Sequence, residues 1–173
     1  MAIKRILTYP NPVLRQKVEP VTHFDDTLKQ LAADLAETMY AAPGAGLAAN
    51  QIGVCLKVVV IDVSGSKDEK KHLVLVNPEI IEHEGCQSDE EGCLSVLDLT
   101  AKVERYSKLL VRAQDLEGKT WEFPAEDFFA RVIQHELDHL NGILFIDHLS
   151  PLKRSLYKRR LKKMLQEQDE GAS

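Results

Sequence analysis

The pentapeptide His135-Glu136-Leu137-Asp138-His139 constrains this chain more than any other stretch. Two imidazoles four residues apart meet at one point only from one face of a helix, because positions i and i+4 stand one turn apart. The segment is therefore expected to be helical, with the rest of the fold enclosing that face. Both rings can then reach one metal ion. Glu136 points slightly off the shared face, where it can touch a water beside the ion without being a ligand. The bare alternative is a surface helix with two solvated histidines. Chance alone produces this spacing in roughly one chain of this length in a few hundred, which weighs against that alternative.

A catalytic ion of this type needs a third protein ligand and one open position. One class of metal peptidases places a histidine three residues past a glycine that follows the motif. Gly142 is in place here, but Phe145 stands where that ligand would be. A second class uses a downstream glutamate, and only Glu167 and Glu170 are available, both in a polar tail. His148 lies nine residues past His139, beyond the expected helix end, and reads as a surface residue. Upstream, Cys93 follows a glycine, and a thiolate is a strong ligand for a late first-row divalent metal. Chemistry favours Cys93, although its distance from the histidines is not written in the sequence. Cys55 and, with less force, Cys86 read as buried apolar residues.

The 173 residues fit one domain, 1–173, with a sizeable core. A net charge of -5 excludes a general nucleic-acid binder. Three cysteines, with no apolar signal core behind Met1–Arg5, argue against a disulfide framework and leave no disulfide partner expected. The longest apolar run, Val58–Ile61, is far too short for a membrane span. A reducing, cytoplasmic setting is the expectation. The charge is uneven: Pro151–Leu165 carries seven cations and no acid, so the rest of the chain sums to -12 against the total of -5. A basic helix over 151–168, with Tyr157, Leu161 and Leu165 as an apolar stripe, is a candidate docking face for an anionic partner. The plain alternative is a solvated helix packed on its own domain.

Residues 1–24, with Pro10, Pro12 and Pro20, read as extended or turn structure wrapped on the surface. An aspartate at 25 or 26 caps a helix whose Leu28, Leu31, Ala32, Leu35 and Met39 form one buried stripe, stopped by Ala42-Pro43-Gly44. Strands are expected over Lys57–Val63 and over Leu73–Asn77, the latter closed by Pro78, with a polar loop over Ser64–Lys71 between them. Glu79–Glu84 and 101–112 read as extended, and Leu116–Lys119 as a hairpin turn into Thr120–Phe123. The motif helix is expected to start at Pro124 or Ala125 and to end at Asn141-Gly142. Ile143–Ile146 reads as a short strand or turn.

Three stretches together carry a resemblance. Gly44-Ala45-Gly46-Leu47-Ala48-Ala49-Asn50-Gln51, Glu91-Gly92-Cys93-Leu94-Ser95 and Gln134-His135-Glu136-Leu137-Asp138-His139 are similar, in order and spacing, to the signature motifs of the bacterial peptide deformylases. The resemblance extends over nearly the whole chain. It implies an α+β fold in which antiparallel β-sheets pack around a central metal-binding helix, with an N-terminal helix and a basic C-terminal helix. It implies removal of the formyl group from the N-terminal methionine of new polypeptides. It gives Cys93, His135 and His139 to one divalent metal ion, ferrous iron (Fe2+) as the native species, with Zn2+, Ni2+ or Co2+ also able to occupy the site. It gives Glu136 the proton transfers, and the Gln51 amide and Leu94 backbone N–H the developing oxyanion. Glu91 and Arg105 resemble an ion pair that braces the cysteine loop in the family.

For the substrate, a formylated nascent peptide, an extended backbone beside Gly44, Ala45 and Gly46 is expected to pair as an added strand. Phe128, Val132 and His135 share a helix face and, with Leu94, are expected to line the methionine pocket; core packing is their alternative role, and the preferred one for Phe129 and Ile133. The resemblance also implies that the basic helix docks on the ribosome. Three positions depart from the family pattern. Ala45 stands where a branched residue is common, Leu97 where proline is, and Thr100 where an arginine often holds substrate. Arg131, one turn before His135, offers a substitute cation. Asp138 either orients a ligand or is solvated. A peptidase cutting internal bonds and a non-catalytic metal protein remain as competing readings.

Overall fold

The computed structural model describes residues 2–65 and 70–171, with side chains up to residue 167. In chain order the elements are α1 (Asp26–Ala41), β1 (Gly46–Ala48), β2 (Val58–Ile61), β3 (Leu73–Glu84), β4 (Gln87–Cys93), β5 (Val96–Arg105), β6 (Lys108–Gln114), β7 (Thr120–Glu126), α2 (Asp127–Leu140) and α3 (Pro151–Gly171). Short 3-10 turns at Pro12–Arg15, Ala49–Ile52 and Phe145–His148 join them. All strand pairs are antiparallel. Five strands form one sheet in the order β1-β2-β3-β6-β7, and β4 and β5 form a separate hairpin.

Each helix is in place for a local reason. The Asp25 carboxylate accepts the Leu28 N–H at 3.1 Å and caps α1, whose Leu28, Leu35 and Met39 are buried against Val58 and Val60 of β2. Full burial of a leucine or methionine contributes about 1.5–3 kcal/mol. Ala130, Ile133, Leu137 and Leu140 of α2 join Val59, Ile61, Leu75 and Val111 in the sheet's core. The same helix reaches the hairpin through Arg131, which donates to the Val103 carbonyl of β5. The motif helix thus runs between the sheet and the hairpin. On α3, Tyr157 and Leu161 pack against Leu14, Val96, Val103 and Phe145. No helix among the described residues is long and apolar enough to cross a membrane.

Several boundaries differ from the sequence expectation. The motif helix begins at Asp127, not at Pro124 or Ala125, because β7 stays paired with β6 through Lys108–Glu126. The break falls at Asp127, whose φ is +51°. Pro78 does not close its strand. β3 runs on to Glu84, and a register shift between Val76 and Glu79 absorbs the missing donor next to Asn77, whose φ is +50°. Of the two readings for Ile143–Ile146, strand or turn, the turn holds: Phe145 and Ile146 open a 3-10 turn. Cys86 is exposed beside Gly85 in the β3–β4 turn and Cys55 is only half-buried, so neither is the core residue expected. Of the loop expected over Ser64–Lys71, residues 66–69 lie outside the described residues.

Candidate metal centre

Three side chains from two distant segments converge. Cys93 closes β4, while His135 and His139 stand one turn apart on α2. Cys93 Sγ lies 3.3 Å from His139 Nε2, which lies 3.3 Å from His135 Nε2. The three potential ligand atoms all fall within 4.8 Å of one another, and among the described residues no other trio of His, Cys, Asp or Glu is so close. A first-row metal binds nitrogen and sulfur at about 2.0–2.3 Å, so donors this far apart can share one ion. His135 Nδ1 is bonded to Glu91 Oε1 at 2.8 Å, which turns Nε2 toward the cluster. Burial and the charges of His135 and Arg105 lower the pKa of His139 well below the ordinary imidazole value, favouring the neutral ring a metal needs. Burial opposes a charge on His135, but Cys93, Glu91 and Glu136 outweigh it and raise its pKa. A divalent ion competes directly with that proton. A thiol and two imidazoles so placed fit a late first-row divalent ion.

Glu91 is the hub behind the cluster. Arg105 binds both of its carboxylate oxygens at 2.9 Å, and Arg131 Nη1 binds Oε2. Burial pulls the Glu91 carboxyl up, but the Arg105 and His135 bonds outweigh it and hold the pKa at about 2. Arg105 also donates to Asp138 Oδ2 at 2.6 Å, and His148 Nε2 sits 2.9 Å from the same oxygen. His148 is exposed, as expected of a surface residue, but is tied into this network, and Asp138 is neither free nor a partner of a ligand ring. Arg131 is 4% exposed, with its Nη1 committed to Glu91 and Val103. Its guanidinium braces the hairpin rather than standing as a free cation at the groove rim.

A cavity of about 410 Å³ opens over the cluster. Gly44, Ala45, Gly46, Leu94, Phe128, Arg131, Val132 and His135 all line it, as do Gln51, Cys93 and Glu136. Phe128 is the exposed rim of this cavity, at 56%. The segment Gly46–Ala48 is the sheet's outer strand, so one of its edges carries no partner strand.

The two glycines have a more local cause than expected. A Cβ on Gly44 would lie 2.8 Å from Leu94 Cδ1, and one on Gly46 would lie 2.8 Å from Glu136 Oε1. Each glycine makes room for a side chain of the centre itself. Glu136 is 3% exposed, and one of its oxygens, Oε2, has no hydrogen-bond partner. Burial raises its pKa to about 7, the range in which a carboxylate exchanges protons at neutral pH; a bound cation acts in the opposite direction.

Some contributors were invisible in the sequence. Leu7 N–H donates to the Gln51 carbonyl and Tyr9 N–H to the Ser95 carbonyl, both at 2.7 Å. The N-terminal segment lies on the surface in extended and turn structure, as expected, and in addition laces two loops of the site together. Asn50 Nδ2 donates to the His139 carbonyl at 2.6 Å and ties that turn to α2. The one available signal was the adjacent carboxamide pair Asn50-Gln51, and it did not separate their roles.

A thiol and two imidazoles within reach of one ion, a buried carboxylate poised beside them and a cavity open above define the class: a metal-dependent hydrolase. Comparison narrows it. A family model described as polypeptide deformylase matches residues 3–155. The peptide deformylase of Desulfotalea psychrophila is 56% identical over 164 residues, covering 94% of this chain and 97% of that protein. That of Acidobacterium capsulatum is 50% identical over 164 residues, covering 95% and 96%. The crystal structure of a peptide deformylase from Legionella pneumophila superposes with a TM-score of 0.90 at 46% identity, covering 97% of this chain and 98% of that one. The chain belongs to the polypeptide deformylase family, and its α+β architecture is the family's.

Proposed function

We infer that this chain hydrolyses the N-formyl group from the N-terminal methionine of newly synthesised polypeptides, releasing formate and a free α-amine. The observation that carries the reading is the convergence of Cys93, His135 and His139 beneath a cavity flanked by Glu136 and Gln51. Cys93, His135 and His139 would hold the ion, for which we assign ferrous iron, with zinc, nickel or cobalt as substitutes. When bound, such an ion supplies Lewis acidity toward the formyl oxygen and lowers the pKa of water.

The chain's own groups perform the rest. Glu136 takes the proton of the attacking water and delivers it to the departing amine. The Gln51 Nε2–H and the Leu94 backbone N–H are assigned to the oxyanion that forms on the formyl group. The peptide backbone adds to the open edge of Gly46–Ala48, beside Gly44 and Ala45, and contributes sequence-independent affinity. Leu94, Phe128, Val132 and the edge of the His135 ring supply the apolar walls for methionine, and Arg131 lines the same cavity. A peptidase reading has no independent support.

The test is turnover of formyl-Met-Ala-Ser by protein purified anaerobically, with metal analysis of the same sample. Formate release by the parent is expected. Glu136→Ala is expected to keep its metal and lose turnover, and Gln51→Ala to lose far more turnover than metal. Equal loss of both in Gln51→Ala counts against the oxyanion assignment.

We further assign the outward face of α3 to ribosome docking, which puts the activity in the cytoplasm. Lys153, Lys158, Arg159, Lys162 and Lys163 are exposed on it. Tyr157 and Leu161 belong to the core, so truncation at Ser150 would unseat the hairpin as well as the charges. Lys158→Glu with Lys162→Glu is the cleaner probe. Salt-sensitive co-sedimentation with ribosomes should fall in the variant, with activity on free peptides unchanged; equal binding would reject the assignment.

A further inference from the structure

We propose that Ser95 is a positioning residue for the reaction: its hydroxyl holds one N–H of the Gln51 carboxamide so that the other is left for the oxyanion. The proposal rests on the assignment of Gln51 made above.

Leu94 and Ser95 are the two residues of the turn between Cys93 and Val96, which pair across the hairpin. Their side chains part. Leu94 lines the cavity, whereas Ser95 is fully buried behind it. The backbone of Ser95 is fixed on both sides. Its N–H lies 3.4 Å from Cys93 Sγ, and its carbonyl accepts the Tyr9 N–H at 2.7 Å. The hydroxyl therefore has a set position, 2.9 Å from Gln51 Nε2.

Gln51 is equally constrained. Its Oε1 accepts the Ala48 N–H at 2.9 Å, and its backbone carbonyl accepts the Leu7 N–H. The Ala48 bond fixes which end of the carboxamide is oxygen. A reversed amide would set two donors against each other there and turn its oxygen toward the Cys93 sulfur. The remaining question is where the two hydrogens of Nε2 go. One is taken by Ser95 Oγ. The sulfur of Cys93 lies 3.9 Å from the same nitrogen, a long and weak contact. The second N–H is thus bound by no strong acceptor, which is the condition for a donor that must meet charge only as it develops.

An alanine at 95 removes the hydroxyl. A buried N–H without a partner is unfavourable, so the carboxamide turns until it finds another acceptor, and the thiolate is the one at hand. Gln51 would then keep its place and its bond to Ala48 but aim its donor away from the substrate. The loss should fall on turnover and remain below the 10²–10³-fold typical of deleting such a donor outright.

The experiment is a double-mutant cycle in the metal-loaded full chain, with Ser95→Ala, Gln51→Ala and the pair assayed on formyl-Met-Ala-Ser. Ser95→Ala is expected to lower kcat about 10–100-fold, with KM within about twofold and unchanged metal stoichiometry. In the Gln51→Ala background the same substitution should change kcat less than about twofold. Ser95→Cys, close in volume but a poor acceptor, should repeat the loss if Ser95→Ala does not fold. An equal factor in both backgrounds means a merely structural role and overturns the proposal, as does unchanged kcat in Ser95→Ala. A Gln51→Ala enzyme with full turnover overturns the oxyanion assignment first, and this inference with it.

Discussion

Gly46→Ala separates two accounts of the first glycine-rich loop. One holds that glycine is needed there for the substrate backbone to approach. The structure gives another: the added methyl carbon would stand 2.8 Å from Glu136 Oε1, 2.9 Å from its Cγ and 3.0 Å from its Cδ. Ordinary van der Waals contact begins near 3.4 Å and separations under 3.0 Å are not tolerated, so something must give by roughly half an ångström. The Gly46 backbone is held by pairing with Ile61, and Glu136 is 3% exposed. The carboxylate has little room to withdraw and must change its tilt. Misplacement of a catalytic group by about 1 Å lowers rates by up to about 10²-fold. The expected loss in kcat is 10–100-fold, about 1.4–2.7 kcal/mol in the barrier. KM should stay within about threefold, and metal stoichiometry should not change. Steady-state kinetics on formyl-Met peptides and metal analysis measure all three. In a Glu136→Ala background Gly46→Ala should add almost nothing. A raised KM with kcat intact would refute the steric reasoning and return Gly46 to substrate contact alone.

Three further outcomes follow from the packing. Burial raises the pKa of Asp62, but bonds from the Ser64 and Tyr40 hydroxyls and the Ser64 and Lys71 N–H groups outweigh it and hold it at about 2. Screened by solvent, that depression contributes on the order of 1 kcal/mol of stability. It is fully present above the unfolded value near 4 and is lost as pH falls through about 2, so urea unfolding of Asp62→Asn should differ from the parent at pH 7 and converge on it at pH 2. Arg105→Met leaves Glu91 buried with Arg131 and His135 alone; it should destabilise by about 3 kcal/mol and weaken metal affinity at least 10-fold, read by denaturant unfolding and chelator competition. Tyr157→Phe deletes the bond from Tyr157 Oη to the Leu97 carbonyl, 2.8 Å long, and should lower stability by about 1 kcal/mol in the same unfolding assay.

What could be read from the chain beforehand follows the physical range of each signal. The spacing of His135 and His139 is local, and α2 carries it as expected. The stripe Leu28–Met39 is local too, and α1 buries all of it but Leu31, which is half-buried. Boundaries set by strand pairing were not local. Nothing in Pro124-Ala125-Glu126 announces that β6 holds those residues in the sheet, so the helix start was placed too early. Pro78 carries a strong local stop signal, overridden by a register shift that only the partner strand reveals. Arg131 had the right sequence neighbourhood for a rim cation, yet a carboxylate forty positions upstream claims it. The N-terminal lace escaped notice for a further reason: Leu7 and Tyr9 act through backbone N–H groups, which every residue but proline has.

The network around Glu91 shows why charge is buried at this centre at all. Glu91, Arg105 and Arg131 are each less than a tenth exposed, and such ion pairs are often no more stabilising than well-packed apolar side chains of similar volume. Fold stability alone does not explain them. Their geometry does. Glu91 lies on the cysteine strand two residues before Cys93, and its Oε1 fixes His135 on α2. Arg131 returns from α2 to the same carboxylate and to the Val103 carbonyl. Arg105 adds the end of β5 and, through Asp138, a second turn of α2. The network therefore sets the distance and rotation between the strand that brings the thiol and the helix that brings the imidazoles. An apolar cluster would hold the two elements together but would tolerate sliding by a fraction of an ångström. Directional bonds do not, and a metal centre drawn from two elements depends on that difference.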